Sequence, residues 1–114
     1  KNHLNSVDFI KKYIFPGSNL ISVNHVLSTI KSFTDLSMVH FEDITKHYAE
    51  TLKLWREKYI SELKSIKSMG YSDEFLRIWE YYFIYCEAGF RERFIGDVQI
   101  VMAKSQNKDI QIGY

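Results

Sequence analysis

Apolar residues return along this chain at two periods, and each switch between them marks an element. Phe9, Ile10, Tyr13 and Ile14 fall on one helical face. With Ser6 as cap and Asp8 in the first turn, they predict a helix from about Ser6 to Phe15. Pro16-Gly17-Ser18 ends it. Behind Ser22, the residues Val23, Val26, Leu27 and Ile30 keep helical spacing and predict a second helix to about Phe33. From Asp35 to Phe41 the period drops to two, with Leu36, Met38 and His40 on one side and Ser37, Val39 and Phe41 on the other. That alternation predicts a short strand.

Helical spacing resumes from Asp43 to about Lys67, with an inner stripe of Tyr48, Leu52, Trp55, Tyr59 and Leu63 and charged residues over the rest. Gly70 interrupts it. Ser72 then caps a helix to about Arg93, whose inner face is Phe75, Ile78, Trp79, Tyr82, Cys86 and Phe90. Asp97 to Ala103 reads as a second strand, and the tail from Ser105 as polar and loosely held. The pattern is thus mainly helical, about four helices and two strands far apart in sequence, with no internal repeat. Two strands alone make a poor sheet, so the sheet is expected to continue in residues outside this chain.

Composition narrows the functional classes. A chain of 114 residues fits one small domain or a piece of a larger one. Its 46% hydrophobic content can fill a core. Fifteen basic against 14 acidic residues leave a net charge of +1, which argues against a nucleic-acid binder. Aromatic content of 16% suits a core and a lipid pocket equally. No apolar run is long enough to span a membrane, and the opening residues do not read as a signal peptide. A start at Lys1 without Met reads as an engineered piece, a cleaved product or the ordered part of something longer.

Candidate chemistry is sparse. His3, His25, His40 and His47 do not fall at ligand spacing with a carboxylate, so no metal site is expected. No glycine pattern follows a strand. The single cysteine, Cys86, points to a reducing compartment, and its apolar helical face favours an inert buried thiol over a nucleophile. Two rows at helical spacing stand out: Tyr48 with Leu52, and Tyr82 with Cys86 and Phe90. If their helices pack together, the rows form either plain core or an apolar wall carrying two phenols.

Three blocks carry a resemblance. The run Phe9-Ile10-Lys11-Lys12-Tyr13-Ile14-Phe15-Pro16-Gly17 looks like a helix ending in a "YIFPGG/NG" turn. The run His47-Tyr48-Ala49-Glu50-Thr51-Leu52-Lys53-Leu54-Trp55 is similar to "HYAxTLxxW", and Cys86 to Arg93 resembles "CxxxFRxR", with Gln99 following on the last strand. In this order and at these gaps, from about Val7 to Lys104, the chain resembles the C-terminal region of cyclopropane fatty acid synthases and the related mycolic acid methyltransferases.

The resemblance implies an α/β parent of class I methyltransferase, Rossmann-like fold, with an antiparallel final strand lying beside the sixth, here Asp35–Phe41. It implies methyl transfer from S-adenosylmethionine to a cis double bond of a phospholipid acyl chain, followed by ring closure, with bicarbonate as the base. It places the bicarbonate-binding tyrosine at Tyr48. The acyl-channel positions fall on Phe15, Leu20, Leu52, Tyr82, Cys86 and Phe90, which moves the two rows from core toward pocket wall. The cofactor loop and the remaining catalytic residues are expected before Lys1, so residues 1–114 are expected to be one C-terminal part of a methyltransferase domain, inactive alone. A cytoplasmic location peripheral to the inner membrane face follows from the substrate class. The exposed edge of the last strand predicts self-association. A related mycolate or small-molecule methyltransferase, and a non-catalytic helical interaction module, are the competing readings.

Overall fold

In the computed structural model, residues 8–110 are described. Asp8 caps the opening turn: its Oδ1 accepts the backbone N–H of Lys11 at 2.9 Å. Ser6 and His3 lie outside the described residues. The turn itself is a π-helix, Ile10–Ile14, closed by the Phe15 N–H donating to the Ile10 carbonyl. Gly17 follows with φ +81, a conformation a side chain would strain.

Helix α1 spans Val23–Phe33, capped by Ser22 Oγ accepting from the His25 N–H. Strand β1, Leu36–Asp43, runs two residues further than the alternation reaches. Its register against β2, Val98–Lys104, breaks between Met38 and His40, so a bulge interrupts the simple period of two. The two strands pair antiparallel, Leu36 opposite Lys104 and Asp43 opposite Val98.

The expected long helix is two helices. Helix α2 covers Thr45–Ser61 and α3 covers Leu63–Ser68. Glu62 leaves helical geometry between them, its N–H shared by the carbonyls of Lys58 and Tyr59. Asp43 Oδ1 accepts the Thr45 N–H at 3.0 Å, so the last residue of the strand satisfies the first turn of α2. Helix α4, Asp73–Arg91, is capped by Ser72 Oγ accepting from the Phe75 N–H.

Helices α2 and α4 form an antiparallel hairpin, and the core sits on their seam and under β2. Leu52 is 0% exposed, Thr45 1%, Ala49 2% and Ala103 6%. The small residues on α2 let the helices approach closely. Thr45 anchors the seam to the chain leaving α4, where its hydroxyl accepts from the Asp97 N–H at 3.1 Å. Trp55, expected on the inner stripe, is 48% exposed. The stripe facing α4 runs instead through Thr45, Ala49, Leu52 and Tyr59. Tyr59 donates its hydroxyl to the Leu76 carbonyl at 2.9 Å, and its ring meets Phe83 at 5.5 Å.

One flank of the hairpin is tied by charge. Glu87 accepts from Arg56 at 3.4 Å and from Arg91 at 2.9 Å, and Arg91 reaches on to Glu50 at 3.3 Å. The chain is nevertheless open. Its radius of gyration is 18.4 Å, against about 13 Å for a compact domain of this length. Phe33, Phe94 and Met69 stand 83%, 85% and 73% exposed.

Candidate functional site: an apolar cleft beside the helical hairpin

The flank of the hairpin away from the Glu87 ion pairs opens into a cleft of about 230 Å³. Each wall follows from a local feature of the sequence. The turn after the π-helix brings in Phe15 and Leu20. Helix α2 contributes Tyr48, and α4 contributes Tyr82, Cys86 and Phe90, one helical turn apart. Ile95 closes the cleft from the segment between α4 and β2.

Ring contacts fix the walls. Tyr48 meets Phe90 with centroids 4.8 Å apart, and Phe15 meets Tyr82 edge-on at 6.1 Å. Tyr82 is braced from behind by Trp79 at 5.2 Å. Such pairs prefer tilted and edge-on geometries, which hold the rings without closing the space between them.

Of the seven residues expected at the site, six line this cleft: Phe15, Leu20, Tyr48, Tyr82, Cys86 and Phe90. Leu52 is not among them: with none of its surface exposed, it lies in the core of α2. It shares a helical row with Tyr48, which is only half-buried.

The electrostatics suit an apolar guest. Burial pushes the Cys86 thiol up to about 11, partly opposed by a hydrogen bond from Tyr82. Burial likewise raises the Tyr82 phenol to about 12, with Cys86 and Tyr48 adding to the effect. Both groups are neutral at ordinary pH, so the thiol is no nucleophile there. The Tyr48 hydroxyl has no hydrogen-bond partner among the described residues. It is therefore available as a donor to a guest. Among the described residues, Asp8 and Lys11 supply the charges of the lining.

Sequence reasoning missed Ile10 and Ile95 as wall residues. Ile10 carried a signal, since it shares the apolar face of the opening helix. Ile95 carried none, because it sits in a connection without periodicity. A second cleft of about 360 Å³ adjoins the first and shares Ile10, Leu20, Cys86 and Ile95 with it. Among the described residues no group of three or more His, Cys, Asp or Glu could hold a metal ion. No helix among them is long and apolar enough to cross a membrane.

Comparison with known proteins places the chain. A tuberculostearic acid methyltransferase of Mycobacterium tuberculosis is 39% identical over 87 residues, covering 76% of this chain and 20% of that protein. The cyclopropane-fatty-acyl-phospholipid synthase of Escherichia coli is 30% identical over 112 residues, covering 98% of this chain and 28% of its own length. A sphingolipid C9-methyltransferase of Komagataella phaffii is 29% identical over 107 residues, 93% of this chain and 22% of that protein. The chain therefore spans between a fifth and under a third of the length of these relatives. The profile described as mycolic acid cyclopropane synthetase matches residues 1–100. The chain belongs to the mycolic acid cyclopropane synthetase family, a methyltransferase family of class I fold.

Proposed function

We propose that this chain forms one wall of the acyl-chain site in a lipid methyltransferase that uses S-adenosylmethionine and closes a cyclopropane ring on the cis double bond of a phospholipid. The observation that carries this reading is the convergence of Phe15, Leu20, Tyr48, Tyr82, Cys86 and Phe90, from three separate stretches, on one apolar cleft. A cleft of this lining takes an alkyl chain by burial and holds it with few polar demands.

The residues in hand do not fit the cofactor itself. Strand β1 passes through Ile44 directly into α2 without a glycine turn, and β2 is followed by no helix among the described residues. Cofactor binding is thus assigned to another part of the same protein. Tyr48 does fit an anion, because it lines the cleft and its phenol can donate a hydrogen bond. A bicarbonate ion, if held there, would supply the base for the proton that ring closure releases. Tyr48 would orient that ion, while the tilted ring of Phe90 and the apolar walls exclude water. A location at the cytoplasmic membrane surface would suit a substrate whose acyl chains are drawn from a bilayer.

A second reading is methylation without ring closure. It is favoured by the higher identity to the relative named as a methyltransferase than to the one named as a cyclopropane synthase. One experiment separates them. The protein carrying this chain with its cofactor-binding part is given S-adenosylmethionine, bicarbonate and vesicles of unsaturated phospholipid. Fatty acids that gain one CH₂ and resist hydrogenation support the ring. A product that gains one CH₂, is branched and still takes up hydrogen supports the second reading, and no methyl transfer to lipid overturns both. Tyr48→Phe is expected to lower turnover at least tenfold, the usual cost of losing a positioned acid–base contact. Unchanged turnover removes the bicarbonate role from Tyr48.

A further inference from the structure

The two adjoining clefts share Asp8, Ile10, Leu20, Cys86 and Ile95, and of these Ile95 is the one that the connection after α4 supplies. Ile95 lines the 230 Å³ cleft beside Tyr48 and the 360 Å³ cleft that leads away from it. It also borders a third, more open groove along Leu20, Ile21 and Phe94. No other element of the connection after α4 reaches the Tyr48 side.

The chain holds Ile95 in that place by several independent devices. Arg93 takes a left-handed conformation, φ 54, and ends α4 in the way a glycine usually does. Its guanidinium pairs with Asp43, which fixes the turn to β1. The N–H groups of Phe94 and Ile95 then both donate to the Gly89 carbonyl, at 3.0 and 3.3 Å. Gly89 makes room for the returning side chain: a Cβ there would stand 3.3 Å from both Cγ1 and Cδ1 of Ile95. A β-branched side chain locked in this way is stiff and well suited to act as a stop.

The geometry points to Ile95 as the residue that sets how far an acyl chain penetrates past the reacting double bond, a specificity determinant of the acyl site. This rests on the reading of the cleft as that site. The methyl end of the chain lies on the far side of Ile95. The larger cleft is walled by Ala88, Gly89, Phe94 and Tyr85, and among the described residues its charged members are Asp8 and Glu92. An anionic phosphodiester is repelled there, whereas an alkyl end meets mostly apolar wall. The controlling quantity is then the length from the double bond to the methyl end, and total chain length matters less.

The test is a competition in the whole protein. Mixed phosphatidylglycerol vesicles carry two acyl chains of equal length whose cis double bonds lie nearer to or farther from the methyl end. The ratio of methylated products is read by mass spectrometry. Ile95→Ala is expected to shift the ratio toward the longer methyl-end segment, and Ile95→Phe toward the shorter, with about tenfold or more between the two variants. Ile95→Val, which keeps the fold with one methyl fewer, is expected to move the ratio slightly in the direction of Ile95→Ala. An active enzyme whose ratio is the same in all variants overturns the assignment of Ile95 and leaves the proposed function standing. A wild-type protein that methylates no lipid overturns both.

Discussion

Leu52→Ala separates the two roles that its helical row allows. Leu52 has no exposed surface and sits between α2 and α4, beside Ala49 and under the seam that Thr45 anchors. Truncation removes three carbons, worth about 2.4 kcal/mol at roughly 0.8 kcal/mol per buried methylene. The cavity left behind adds to this, because the Arg56–Glu87 and Glu50–Arg91 pairs hold the helices together and limit their collapse. A total loss of about 3–5 kcal/mol follows, within the range for fully buried leucines. The assay is thermal unfolding of the whole protein together with methyl transfer measured well below the transition. A lowering of the melting temperature by several degrees with nearly unchanged turnover is expected. Unaltered melting combined with impaired lipid turnover would refute the reasoning, since it would place Leu52 on the cleft wall.

Two other outcomes test the cleft and the open shape. The Cys86 thiol is raised from 9.0 to about 11 and Tyr82 from 10.0 to about 12, both mainly by burial. Groups raised in the folded state contribute stability that is complete below their unfolded pKa and lost as pH climbs through the folded one. The melting temperature is therefore expected to hold up to about pH 9 and fall between there and about pH 12, with Cys86→Ala removing the earlier part of the fall. A flat profile over that window would contradict the burial of both groups. The 114-residue chain on its own is expected to self-associate, because β2 pairs on one edge only and Phe33, Phe94 and Met69 lie open. A single monomeric species in sedimentation velocity at high micromolar concentration would count against it.

Where the sequence shows a period, the fold was legible. Ser22 and Ser72 cap the helices they were expected to cap, and both strands appear where the alternation and the Val-rich run put them. The errors share one physical origin, which is that apolarity marks a face and does not fix the line along which two faces meet. That line follows the small residues. Thr45, Ala49 and Leu52 are the buried positions of α2, and Trp55 is left half outside although it is the most apolar-looking member of the stripe. The break at Glu62 has no composition signal either, since Glu and its neighbours are good helix formers.

The candidate site was legible for a different reason. Tyr82, Cys86 and Phe90 were found because spacing of four places them together on any helix, whatever it packs against. Tyr48 needed the second helix to be antiparallel, and Phe15 and Leu20 needed the chain to turn back at Gly17. Only the resemblance supplied those. Ile95 lay beyond both methods. Its position depends on a left-handed arginine, an ion pair to a residue fifty positions earlier and a glycine one turn back on α4, and no single one of these marks a pocket. A wall residue placed by several weak local devices is invisible to pattern, yet it is also the residue a lineage can exchange most freely. Phe15, Tyr48, Tyr82 and Phe90 brace one another, so replacing one disturbs the rest. Ile95 makes no such ring contacts, and variation in acyl preference within the family is therefore expected to concentrate at its position and to spare the aromatic walls.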